Sequence, residues 1–469
     1  MLTLYTPATG FPDLEVKIAY GLARVGIEAY GIENVRIIPQ KGFYLVLVNG
    51  DIQKLNDTFN QISARILSSD FIPRSTPGIT GRTATTIKIN ENEKFDLKIY
   101  TNIVEIAEHK KSENFCRHEE RVKVSNVIGF TAAATTGVLC KRDGLDITYY
   151  QGVPRRPTDP REICKTCALL SLLGMWYASF MFNIADKEVI VISIPNSEVS
   201  GLKLQEIFSI QHQIRKEWFG QEIPQVLIPL FFLSRIPSSA DILEGFDLFI
   251  AVLSRQQGYH VDGLYLLSIE KYLSFLKDNP FNIASIDRML QNKAFSALLE
   301  LNNAIYYEKK DSLTKFARLY VQETSSDRFV NLLYPQTAKY LLQKYIFEQQ
   351  SILQEVGMIR QDIIENPALA SLARTLRYFI RERKYGYADD IRNARKDSRD
   401  FEETIARMLR EGRLRLEQKE KIHLPTEDEI KEVFRLANEN FEATKTALVI
   451  LAFSFPSKVE QTAENIEEV

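Results

Sequence analysis

Four cysteines and a scattered set of arginines carry the chemistry that this sequence offers. Cys164 and Cys167 are two residues apart, a separation that lets two thiolates meet one tetrahedral metal ion. Cys116 and Cys140 complete an all-cysteine set for structural zinc, and His118 is a substitute for one of them. The competing readings are a disulfide or four inert buried thiols. A thioredoxin-like redox pair is not expected, because no strand is read before Cys164 and a Pro/Arg loop is. Nothing marks the open fourth position beside a general base that a catalytic metal needs.

The arginines fall into loops and helices. Pro154, Arg155, Arg156, Pro157, Pro160 and Arg161 form a stiff basic loop directly before the cysteine pair. A second loop, residues 72–86, is dense in Pro, Gly, Ser and Thr and carries Arg74 and Arg82. Small residues let a backbone approach phosphates, and guanidinium groups add charge; a plain connector is the alternative. Towards the C-terminus, Arg374, Arg377 and Arg381 are spaced i, i+3, i+7 and share one helix face, away from Leu369, Leu372, Leu376 and Phe379. The same spacing recurs at Arg392, Arg395 and Arg399, and Arg407, Arg410 and Arg413 follow at i, i+3, i+6. Such ridges suit a phosphate backbone. The competing reading is a solvated face neutralised by Asp389, Asp390, Asp397, Asp400, Glu402 and Glu403.

Motifs for catalysis are missing. The five histidines are dispersed, with no His-Asp dipeptide and no HExxH. There is no Gly-x-Ser-x-Gly elbow and no Walker-type Gly-Lys-Ser/Thr. Asp389 and Asp390 are adjacent, which on a helix points their carboxylates about 100° apart and poorly for a shared metal.

The elements that must position these residues give an α+β chain: a mixed α/β N-terminal and middle region with the possible zinc knuckle, then an all-helical C-terminal bundle. With 469 residues, several domains are expected, at 1–150, 151–270 and 271–469. The net charge of −2 means that nucleic-acid binding has to come from local basic patches. A helix over 11–30, a hairpin of Val35–Ile38 with Phe43–Val48, and a helix capped by Asp51 open the chain. Buried strands are predicted at Glu188–Ile194, Val226–Leu233, Phe246–Leu253 and Leu264–Ile269. Beyond Glu270 the periodicity is helical, including single helices over Ile286–Asn302 and Asp428–Phe453. The apolar run Cys167–Ile184 is barely long enough to span a membrane, and a buried core helix is the expectation. The first residues do not resemble a secretory signal, which together with the few cysteines leads to an expected cytoplasmic location.

Two segments together resemble a known family. One is the Cys-x-x-Cys pair with its apolar helix, Ile163–Phe182. The other is LASLARTLRYFIRERKYGYADDIRNARKDSRDFEETIARML, Leu369–Leu409. The combination resembles the large subunit of archaeal type I-A CRISPR surveillance (Cascade) complexes, which act in antiviral defence. The resemblance implies a non-catalytic DNA- and RNA-binding subunit that recognises the protospacer-adjacent motif on target duplex DNA and aids strand opening. It implies crRNA, the other complex subunits and a separate helicase-nuclease as partners, with guide pairing supplying sequence specificity. Arg82, Arg155 and Arg156 are assigned to motif reading from loop chemistry alone. A metal-dependent nuclease or nucleic-acid-processing enzyme is the alternative, and a scaffold without nucleic-acid contact is a third reading.

Overall fold

Turn chemistry and periodicity build the start of the chain. The computed structural model describes residues 1–6, 12–68, 86–88, 94–96, 121–124, 139–142, 145–148, 161–185, 187–214, 223–236, 239–256, 258–277, 279–324, 331–344, 363–396 and 398–454. Strand β1 (Leu2–Tyr5) precedes helix α1 (Pro12–Tyr30), which ends at Gly31 with φ 86°. Strands β2 (Val35–Gln40) and β3 (Phe43–Val48) form a hairpin around Lys41 and Gly42, and the φ of 86° at Gly42 is a region that glycine occupies without strain. Helix α2 (Ile52–Ser68) is capped by Asp51, whose Oδ1 accepts the Lys54 N–H at 3.0 Å.

Short strands follow: β4 (Thr86–Lys88), β5 (Lys94–Asp96), β6 (Arg121–Val124), β7 (Leu139–Arg142), β8 (Leu145–Thr148) and β9 (Arg161–Cys164). Then come α3 (Lys165–Ala178), β10 (Ser179–Ile184), β11 (Lys187–Pro195), β12 (Val199–Ser200), α4 (Gly201–Ile214), β13 (Phe246–Gln256) and β14 (Gly258–Ser268). They make three sheets, ordered β1-β3-β2-β12, β10-β11-β13-β14-β7-β8 and β5-β4-β6-β9. In the first sheet β3 is antiparallel to both neighbours, so β1 and β2 run parallel on either side of it. All these elements lie in one compact unit, Met1–Gln225 with Ile236–Leu273.

The core of this unit is the crossing of α1 with α3. A Cβ built on Gly21 would lie 2.1 Å from the Leu170 carbonyl oxygen, and one on Gly174 would lie 1.8 Å from that of Lys17. The two backbones touch because both positions lack a side chain. Leu14, Ile18, Leu22 and Val25 pack there with Cys167, Leu170 and Leu173.

Two expectations change here. Strand β9 leads into the cysteine pair and ends on Cys164, so the expected absence of a strand there, the ground for setting aside a thioredoxin-like redox pair, does not hold. The run Cys167–Ile184 is not one helix either: α3 stops at Ala178, and Ser179–Ile184 pairs with Lys187–Ile192 as an antiparallel hairpin. Uniform apolarity hid the switch from helix to strand, since neither period is visible in it. Among the described residues no helix is long and apolar enough to cross a membrane.

The second unit comprises Val226–Arg235 and Ser274–Val469, and its described elements are helices. Its elements are α5 (Ile228–Arg235), the end of α6 (Glu270–Lys277), α7 (Pro280–Gln291), α8 (Phe295–Ile305), α9 (Lys310–Thr324) and α10 (Pro335–Leu342). They continue with α11 (Pro367–Arg381), α12 (Gly386–Asn393), α13 (Asp400–Glu417), α14 (Glu427–Glu439) and α15 (Phe441–Ser454). Helix α15 is buried along most of its length and packs against α9, α10, α11, α12 and α14. The strand expected at Val226–Leu233 is instead a 3-10 turn, Gln225–Leu227, followed by α5. Pro229 explains this, because it lacks the N–H a central strand needs but fits a first helical turn. The helix expected over Ile286–Asn302 is broken at Lys293, where φ is 55°. The one over Asp428–Phe453 is broken at Asn440, whose Oδ1 accepts the Ala443 N–H at 3.2 Å. The chain is therefore α+β, with strands and sheets first and a mostly helical C-terminal region.

Candidate nucleic-acid interface

Helix α11 is the best-defined carrier of arginines. Asn366 caps it, its Oδ1 accepting from Ala368 N at 2.9 Å and Leu369 N at 3.3 Å, and Pro367 takes the first helical position. Leu369, Leu372, Ala373, Leu376, Phe379 and Ile380 are buried, which fixes the rotation of the helix. The remaining stripe carries Arg374, exposed, and Arg377 and Arg381, both partly buried. The three positive charges act on one another. Arg377 is pulled down to about 10, first by burial and then by the charges of Arg381 and Arg374.

The second arginine set does not form a helical ridge. Helix α12 ends at Asn393 and Ala394 is extended, with ψ 141°, so Arg395 lies in the connection and Arg399 is the residue before α13. Arg392 alone stays on the helix, 3.3 Å from Asp389. Neutralisation by acids is the right reading for part of this region. Asp389 also pairs with Arg318 at 3.0 Å, and Asp390 with Arg407 at 2.8 Å. Arg415 lies between Glu411 at 3.6 Å and Glu420 at 2.9 Å. The side chains of Arg374, Arg395, Arg399, Arg410 and Arg413 are exposed and make no ion pair or hydrogen bond among the described residues. Sequence spacing missed Arg318, which reaches Asp389 from α9 and whose guanidinium carbon lies 5.8 Å from the centroid of the Tyr385 ring.

The other assigned residues are less fully placed. Arg74, Arg82, Arg155, Arg156 and Cys116 lie outside the described residues. Arg161 and Cys164 are the first and last residues of strand β9, and Cys140 belongs to β7, a strand of a different sheet. Cys167 is fully buried in the α1–α3 core. Among the described residues no group of three or more His, Cys, Asp or Glu side chains is placed to hold a metal ion.

One constellation combines hydroxyl, imidazole and carboxylate. Ser371 Oγ lies 2.7 Å from His423 Nε2 and donates to Glu429 Oε2 at 3.0 Å. In an activated nucleophile the imidazole stands between the other two groups; here the serine does, and it is buried within α11. The cluster is a brace between α11 and the start of α14. Thr426 completes it with a capping box, in which Thr426 N–H donates to Glu429 Oε2 at 2.6 Å and Glu429 N–H to Thr426 Oγ1 at 3.3 Å. The Thr426 N–H is the main reason that the Glu429 carboxyl lies below its ordinary range. Its stabilisation is thus present above the ordinary carboxylate pKa and is lost as pH falls through the folded value. Thr426→Ala should cost about 1 kcal/mol in denaturant unfolding at neutral pH. An unchanged unfolding midpoint would show that the brace carries no stability.

No protein-family model matches the sequence, and no curated protein matches it significantly.

Proposed function

We propose that this chain is the non-catalytic large subunit of a crRNA-guided type I-A CRISPR effector complex. On this reading it binds target duplex DNA, recognises the protospacer-adjacent motif and aids strand opening, while guide pairing supplies sequence specificity. The observation that supports nucleic-acid binding most directly is the trio Arg374, Arg377 and Arg381, carried on the one stripe of α11 that its buried residues leave free of the core. Exposed Arg395, Arg399, Arg410 and Arg413 extend the basic character of the same unit. The assignment of motif reading to Arg82, Arg155 and Arg156 rests on loop chemistry. Asp389 and Asp390 are engaged by arginines, which does not favour a nuclease built on that acidic pair.

The test is a salt titration of binding between the purified full chain and a labelled 30-base-pair duplex. Neutralised phosphates release counterions, so affinity falls linearly with salt on logarithmic axes. Arg374→Ala with Arg377→Ala should weaken binding on every duplex sequence and flatten the slope by about two, roughly one for each lost contact. Arg374→Ala alone should leave stability within about 0.5 kcal/mol, as for most surface changes. Binding that ignores salt, a slope unchanged in the double variant, or metal-stimulated cleavage by the chain alone would each overturn the proposal.

A further inference from the structure

The first sheet has two unlike faces. Leu4, Tyr44, Val46 and Val48 belong to the core that includes α1. Side chains alternate along a strand, so the intervening residues stand on the other face. There Tyr5 lies opposite Leu45 on β3, and Leu45 lies opposite Ile38 on β2, while Leu47 lies opposite Arg36. Tyr5, Ile38, Phe43, Leu45 and Leu47 remain partly exposed and outside the core set. Phe43 is the diagonal neighbour of Tyr5, with ring centroids 6.2 Å apart.

Charge distinguishes this face from an ordinary apolar patch. No aspartate or glutamate occurs in β1, β2 or β3, whereas Arg36 stands on the outward face and exposed Lys41 at the hairpin turn. Arg36 meets Glu198 at 3.2 Å, but both side chains are more than half exposed, at 61% and 51%. A pair so placed holds weakly and yields readily to another anion. An aromatic pair on a strand face that also carries Arg36, with Glu198 from outside these three strands as its weakly held partner, matches a ligand with flat apolar rings on an anionic backbone. A duplex cannot offer its base faces in this way; a single strand can.

We propose that this face is a stacking platform for single-stranded nucleic acid, with Tyr5 and Phe43 receiving bases and Arg36 a phosphate. The platform lies in the first unit and stands on observations separate from the α11 arginines. Each base–ring stack is sequence-tolerant, because every base has a π-face.

The experiment measures binding of the full chain to labelled (U)12, (dT)12 and the 30-base-pair duplex. Tyr5→Ala with Phe43→Ala should weaken single-strand binding at least about tenfold, the size of one lost stack, with duplex binding unchanged. Arg374→Ala with Arg377→Ala should weaken duplex binding and spare more of the single-strand affinity. Comparison of (U)12 with (dT)12 tells RNA from DNA, and tighter binding of either one supports the platform. Phe43→Trp keeps a ring in place, so it should retain affinity and show indole quenching on addition of the tighter strand, beyond that of the wild type. The platform is overturned if the wild-type chain binds neither strand, or if folded Phe43→Trp shows no added quenching. A double-alanine chain that keeps wild-type strand affinity but loses self-association on sedimentation also overturns it, in favour of a protein contact.

Discussion

Replacing Gly174 by alanine should destabilise the first unit by more than about 3 kcal/mol, beyond the usual range for overpacking. The added Cβ would lie 1.8 Å from the Lys17 carbonyl oxygen, 2.6 Å from its carbon and 2.8 Å from its Cα. These are backbone atoms inside α1 and cannot rotate away as a side-chain tip would. Alanine is the better helix former by about 1 kcal/mol, which partly offsets the clash. It does not remove it, because relief requires α1 and α3 to separate. Separation opens the contact among Ile18, Leu22, Leu170 and Leu173, all fully or almost fully buried. Gly21→Ala should act the same way, its Cβ lying 2.1 Å from the Leu170 carbonyl oxygen. Gly386 is the control: no atom lies within 4 Å of a Cβ placed there, so alanine should be neutral or mildly stabilising. Denaturant unfolding of the three variants decides. A Gly174→Ala chain as stable as the wild type would mean that the two helices do not cross this closely.

How much was legible depended on whether the signal was local. The α1–β2–β3–α2 opening was read from the chain because Gly42 and Asp51 impose their own geometry and the helices show their period. Strand β1 was not, since four residues carry too little pattern and its partner β3 lies some forty positions away. Strand β10 was hidden by the apolarity it shares with α3. For the candidate interface, spacing alone put Arg374, Arg377 and Arg381 on one face of α11. It could not tell which arginines the acids would neutralise, because that depends on packing. Asp389 takes Arg392 from its own helix and Arg318 from α9, while Arg395 is carried off the helix by an extended Ala394. The outer sheet face was illegible for a related reason. Strand β3 reads apolar throughout, and only pairing with β1 brings Tyr5 beside Phe43.

Lys17→Met should cost about 3–5 kcal/mol at neutral pH, the price of breaking a buried ion pair by removing one partner, and the loss should shrink in acid. Lys17 and Asp13 are one helical turn apart in α1, with Nζ 3.6 Å from Oδ2 and both side chains fully buried. Neither carboxylate oxygen of Asp13 makes a well-formed hydrogen bond among the described residues, and the Asp13 and Leu14 N–H groups favour its charge less than Lys17 does, so the lysine is the main source of compensation. Burial raises the Asp13 pKa above its ordinary value, and attraction to Lys17 opposes that rise. The sign follows from proton binding. A carboxyl whose pKa is raised on folding keeps its proton in the folded chain after the unfolded chain has lost it, so stability falls as pH rises through that window. Removing Lys17 abolishes the opposing attraction and widens the window upward. The difference between variant and wild type should therefore grow as pH rises above the ordinary carboxylate range and shrink as pH falls towards it, as Asp13 takes up its own proton. Taking the difference cancels titrations common to both chains. Asp13→Leu combined with Lys17→Met should recover most of the loss and itself lack the pH dependence that Asp13 contributes, since a well-packed apolar pair replaces a buried ionic one at little cost. A Lys17→Met penalty equal at pH 5 and pH 7 would rule out an ionised, lysine-compensated Asp13 in the folded chain.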